Sequence, residues 1–190
     1  APVPAYLKSL KIPAGYFDHM LFKTYLVDLA QKYYGATDLI ENISNYQVFL
    51  NRETLQKLNL DAETVSQKLA NDIINYEGIN KVMTAKTLQN TYFDKGILSY
   101  LQHGYNQKLS GDIMMVPNPS IISKRTSGTN HGSGYSYDTH VPMIFFGKGI
   151  NVGRSRERVE IIDIAPTMSN LLQISFPNSY TGQVLTEALK

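Results

Sequence analysis

The sequence predicts an α/β protein: a small two-layer α/β block with α+β character, joined to part of a larger α/β core. Strand-like and helix-like segments alternate between residues 46 and 116. A nearly unbroken apolar run, Val141-Pro142-Met143-Ile144-Phe145-Phe146, has the composition of a strand buried on both faces. The 190 residues, 43% apolar and 18% charged, fall in the globular range and suffice for one good-sized domain or two small ones.

Residues 1–16, punctuated by Pro2, Pro4, Pro13 and Gly15, read as an extended lead-in. From Phe17 to Tyr34 the residues Phe17, Leu21, Tyr25, Leu29 and Tyr33 recur every four positions, the stripe of a helix, thickened by Met20, Leu26 and Ala30. Asp18 suits its N-terminal end and Gly35 the left-handed position that stops it. Tyr46-Gln47-Val48-Phe49-Leu50 has strand composition. Asp61 caps a helix striped by Val65, Leu69, Ile73 and Tyr76 and ended by Gly78. Ile79 to Thr84 alternates with period two, as a half-buried strand does. Asp94 opens a shorter helix through Ile97, Leu98 and Leu101, and Asp112 to Val116 forms another strand.

After Pro119 the texture changes to Ser, Thr, Gly and Asn, and residues 120–140 read as a loop without structure of its own. Val159 to Ile162 is a short strand or extended segment, and Asp163 caps a last helix that tolerates Pro166 in its first turn. The expected organisation is a lead-in and helix at 1–35, a two-layer block at 36–117 and a final part at 118–190.

Eighteen basic against sixteen acidic residues leave a formal charge of +2, too small to argue for nucleic acid or an anionic membrane surface. Absent cysteine excludes disulfides and thiolate chemistry. No stretch approaches the roughly 20 apolar residues of a membrane-spanning helix. The start has no initiator Met, basic segment or apolar leader, which reads as a front cut or processed.

Reactive side chains concentrate between Thr126 and His140. Gly132-Ser133-Gly134 has the wrong spacing for a nucleophile elbow. A triad from Ser133 or Ser136, Asp138 and His140 would sit within one short loop, whereas triad members converge from distant segments. A phosphate loop would need a lysine that is missing. His131 and His140 are nine residues apart, unlike a helical zinc pair, so spacing alone favours a solvated loop histidine at His131 over a ligand. It also favours a hydrogen-bonded structural histidine at His140. His103 suits a helix C-terminus, and His19 has no evident partner.

Thr129-Asn130-His131-Gly132-Ser133, with Tyr137-Asp138-Thr139-His140-Val141-Pro142-Met143-Ile144-Phe145, resembles the C-terminal signature of the alkaline phosphatase superfamily. The pattern is that of the bacterial PafA-like alkaline phosphatases and the type I phosphodiesterase/nucleotide pyrophosphatases. Ile161-Ile162-Asp163-Ile164-Ala165-Pro166-Thr167 resembles the start of the family's closing helix. Asn106 to Ile113 is similar to one of its strands, with Lys108-Leu109 where an Arg is common. Leu50 to Glu53, Leu60-Asp61 and Ile79 to Val82 resemble the subdomain inserted over the family's active site.

The resemblance implies a C-terminal portion of a zinc-dependent phosphohydrolase with a two-metal site, hydrolysing phosphate monoesters. A phosphodiesterase or nucleotide pyrophosphatase, and a non-catalytic α/β binding module, are the alternatives. It makes His131 a zinc ligand and gives Asp138 and His140 a structural role in orienting its loop. The nucleophile and the other ligands would lie in a missing N-terminal half, for which Ala1-Pro2-Val3-Pro4-Ala5-Tyr6 marks the junction. No catalytic residue is then expected in this chain, which alone would be inactive and prone to self-association. A periplasmic or secreted location is implied with the family.

Overall fold

The computed structural model describes residues 3–124 and 128–190. Ala1 and Pro2 of the opening stretch, and Thr126 and Ser127 of the reactive segment, lie outside the described residues. The chain is mixed α/β and divides into two compact units, one ending at His140 and the other comprising Val141–Lys190.

The lead-in is not extended throughout. Pro4–Ser9 forms α1, with proline in the first turn, where its fixed φ and missing N–H cost nothing. β1 follows at Gly15–Phe17. α2 spans His19–Tyr34; Asp18 Oδ1 accepts from the amides of Met20 and Leu21, and Gly35 (φ +69°) stops the helix. Its buried stripe is Phe22, Leu26 and Ala30; Leu26 and Ala30 belong to the expected face, whereas Phe22 is buried in place of Met20 and Leu21, which are exposed. Both faces are apolar enough to satisfy a helical period, and the sheet selects the face that carries Phe22.

β2 (Ile40–Ser44) and β3 (Gln47–Leu50) form an antiparallel hairpin. Asn45 and Tyr46 make its two-residue turn, with φ +49° and +59°, the left-handed geometry that matches strand twist. Tyr46 is therefore a turn residue rather than the start of a strand. α3 (Arg52–Lys57) is capped by Asn51, and α4 (Ala62–Ile73) by Asp61. β4 (Ile79–Thr84) runs directly into α5 (Ala85–Asn90). α6 (Ile97–His103) opens behind Gly96, whose φ of +79° turns the chain, so Asp94 is not its cap. β5 is Ile113–Pro117.

These strands make one antiparallel sheet in the order β2-β3-β5-β4. α2 packs on β2 and α4 on β4. The core gathers Phe22, Leu26, Leu39, Val48, Leu50, Val65, Leu69, Ile73, Ile113 and Met115. Each large side chain buried there contributes about 1.5–3 kcal/mol. Buried Asp112 ties the block together: its carboxylate accepts from the Leu50 amide (2.8 Å) and pairs with Arg52 (2.5 Å).

Residues 120–140 also carry structure. Ile121–Ser123 forms β6, which pairs in parallel with β1, and Ser136–Thr139 forms the one-turn helix α7.

In the second unit, Val141–Phe146 forms no strand, with Ile144 83% and Phe146 fully exposed. A strand needs a hydrogen-bonded neighbour, and the described residues offer none to this run. Ile161–Asp163 is a 3₁₀ turn, so the expected extended segment ends at Glu160. α8 spans Ile164–Leu172. The Asp163 carboxylate does not cap it; it accepts from the amides of Glu160 (2.8 Å) and Gln183 (2.7 Å). Thr167 Oγ1 accepts from the Leu185 amide (2.9 Å). Asp163 and Thr167 thus hold the C-terminal tail, and a bridge between Ile150 and Leu189 closes it.

Candidate functional site

Just past β6, the Lys124 ammonium meets Asp18 Oδ2 at 2.6 Å. This ion pair, ahead of the helix-cap hydrogen bonds, holds the Asp18 carboxyl below its usual range. His131 follows on an exposed stretch, and its ring makes no hydrogen bond among the described residues. The segment behind it is held firmly. Ser133 donates twice to Asp138 Oδ2, from its amide at 2.9 Å and its hydroxyl at 2.6 Å. Burial would raise the Asp138 carboxyl, the Ser133 hydrogen bonds act against it, and the net shift is downward.

This geometry decides between two chemistries for Ser133. Its hydroxyl hydrogen is directed straight at a carboxylate, with no imidazole between them, so it is not the nucleophile of a Ser-His-Asp triad. His140 ends α7 with its amide on the Ser136 carbonyl, and its ring is exposed.

Two tyrosines fix the rest of the segment. Tyr135 donates its hydroxyl to the Pro117 carbonyl at 2.9 Å, and the Tyr137 hydroxyl accepts from the Ser120 amide at 3.0 Å. Their rings stack with centroids 5.6 Å apart. Burial raises the Tyr135 phenol above its ordinary pKa, with the Tyr137 neighbour adding to it. Sequence reasoning missed both residues as anchors. Their alternation in Tyr135-Ser136-Tyr137 was visible, but their partners are backbone groups.

His19, without an evident partner in the sequence, meets Ser123 Oγ through Nε2 at 3.0 Å and stands edge-on to Phe17. Burial lowers its pKa, and the Asp18 charge acts the other way. His103 sits in the last turn of α6, with Nδ1 3.4 Å from Ser99 Oγ. A cleft of about 170 Å³ lined by Tyr46, Tyr100, Met114 and Met115 includes none of the candidate site residues.

Zinc sites use three or four protein ligands. Among the described residues no three His, Asp or Glu side chains converge on one point. The exposed His131 imidazole, beside the turn that Ser133 and Asp138 close, fits a single metal ligand.

No family model matches the chain. A relative named alkaline phosphatase PafA, from Elizabethkingia meningoseptica, is 32% identical over 185 residues, covering 97% of this chain and 34% of that protein. A relative named calcium-transporting ATPase, from Myroides odoratus, is 30% identical over 189 residues, covering 98% of this chain and 34% of the relative. The crystal structure of wild-type alkaline phosphatase PafA matches with a TM-score of 0.91 at 30% identity, over 100% of this chain and 36% of that one. The chain therefore spans about a third of the length of the relatives it matches.

Proposed function

Since the chain is related to the alkaline phosphatase superfamily along nearly its whole length, we propose that it forms part of a metal-dependent phosphohydrolase acting on phosphate monoesters. The observation that carries this reading is the match to alkaline phosphatase PafA in both sequence and fold. His131 serves as one zinc ligand, and Asp138, through Ser133, steadies the turn beside it. His140 is kept as a structural residue at the end of α7. The remaining ligands and the nucleophile come from outside this chain. When bound, a pair of zinc ions supplies activation of the nucleophile and stabilisation of the leaving oxygen. A periplasmic or secreted location goes with this reading.

A second reading is favoured by the ATPase name of one relative: a phosphodiester or phosphoanhydride substrate, as in a nucleotide pyrophosphatase.

The test is made in the longer protein that carries this chain. His131→Ala should lower zinc content by elemental analysis and remove most p-nitrophenyl phosphate hydrolysis, while the circular dichroism of the fold is kept. Unchanged zinc would sink the ligand assignment. Faster turnover of bis-p-nitrophenyl phosphate than of the monoester would favour the second reading. The isolated 190 residues should hydrolyse neither compound, because one imidazole does not hold zinc tightly.

A further inference from the structure

The segment around His131 has little secondary structure of its own, yet it is seated on the rest of the first unit at three points. The first is steric. A Cβ on Gly134 would lie 2.6 Å from Ile97 Cγ1 and 3.3 Å from Tyr100 Cδ2, so the backbone rests directly on α6. Gly134 is not in the left-handed region. Space, not conformation, requires glycine here.

The other two points are the phenols on the β5–β6 turn. One phenol donates to the carbonyl of Pro117, the last residue of β5, and the other accepts from a turn amide, so the pair satisfies one backbone group of each kind. The amide belongs to Ser120, which is buried and held at φ +63°. Between these points the Ser133–Asp138 hydrogen bonds close the turn on itself.

We propose that α6 and the β5–β6 turn form a docking platform that sets the position of His131, with Gly134, Tyr135 and Tyr137 as positioning residues. The proposal rests on the reading of His131 as a metal ligand. None of the three touches the metal; they act by fixing the turn that begins two residues after His131. A ligand held on a loose segment must be ordered before it binds, and that ordering is subtracted from affinity.

The experiment measures zinc affinity, by competition with a chromogenic chelator, in the longer protein that carries this chain. Gly134→Ala should weaken zinc binding about tenfold, the low end for groups that orient a ligand. Adding Ile97→Ala, which clears the space a new Cβ needs, should restore most of the loss. Tyr137→Phe removes a single oxygen and should weaken zinc binding in the same direction. In the 190-residue chain it should also speed hydrogen exchange at the Ser120 amide while leaving the core amides of β5 protected.

Rescue by the double variant supports docking, because a general loss of stability would deepen when Ile97 is truncated. Wild-type zinc affinity in both Gly134→Ala and Tyr137→Phe, with affinity lost in His131→Ala, would overturn the platform and leave the ligand reading standing. Unchanged affinity in His131→Ala would remove both.

Discussion

Two apolar runs of similar composition meet opposite fates in this chain. Ile113-Met114-Met115-Val116, in β5, is buried at every position, flanked by β3 and β4. Ile113 and Met115 join the core cluster, and Met114 and Val116 are buried outside it, so the strand is covered on both faces. Val141-Pro142-Met143-Ile144-Phe145-Phe146 is at least as apolar, yet it has no neighbouring strand among the described residues. The difference teaches that an apolar run states a demand for burial, and the neighbouring strands decide whether it is met.

The comparison can be broken most directly by equal truncations in the two runs. Ile113→Ala should destabilise the first unit by about 2–5 kcal/mol, the range for deleting a buried side chain. Ile144→Ala in the 190-residue chain should change stability by less than about 0.5 kcal/mol, as at exposed positions. Urea unfolding followed by circular dichroism checks both. Equal costs would mean that the second run is buried in solution.

A smaller effect sharpens the contrast between the carboxylates that begin helices in the two units. Asp61 accepts from the Thr64 amide and hydroxyl at the start of α4, so Asp61→Ala should cost about 1 kcal/mol by the same assay. Asp163 precedes α8 but holds the Gln183 amide. Asp163→Ala should therefore release the C-terminal tail, read as faster hydrogen exchange at Gln183 with α8 retained.

The smallest expected effect is a pH slope confined to the first unit. Burial depresses the His19 pKa in the folded state, so the unfolded chain binds its proton more readily. Stability is thus fully present above the unfolded value of about 6.5 and falls as pH drops below it. Asp18, Tyr46 and Ser123 surround the ring, and Asp18 acts against the shift. His19→Gln should flatten the pH dependence of the first unit's thermal midpoint between about pH 7 and 5.5. An unchanged slope would place its origin in the carboxylates.

Much of the fold was legible where the signal is local. Asp18, Asp61 and Gly35 marked helix ends because a cap is a hydrogen bond or a φ value set within three or four residues. β5 and β4 were legible from composition and alternation. β2 was missed because Glu41 and Asn42 interrupt its apolar pattern at a register shift. β1 and β6 were missed because three residues carry no period, and each exists by virtue of the other. The helical period of α2 was correct and Leu26 and Ala30 were on the expected face, but Phe22 was not, since Leu21 and Phe22 both fit a stripe and only the sheet chooses.

At the candidate site, His131 stood out by resemblance and not by spacing. The role of Asp138 likewise came from resemblance, and its hydrogen bonds with Ser133, five residues away, were not singled out by spacing. The seating of Tyr135 and Tyr137 was not legible, because the Pro117 carbonyl and the Ser120 amide are chemically anonymous in a sequence.

The pairing of Gly15–Phe17 with Ile121–Ser123 also orders events in time. The β2–β3 hairpin needs only its own two-residue turn and can close within microseconds. The parallel pair joins strands separated by about a hundred residues, and that closure carries the entropy of the whole intervening chain unless the chain has already compacted. During synthesis β1 therefore waits without its partner until residue 123 has left the ribosome. Over that interval the completed hairpin, and the helices that pack on the sheet, are what bring its partner within reach.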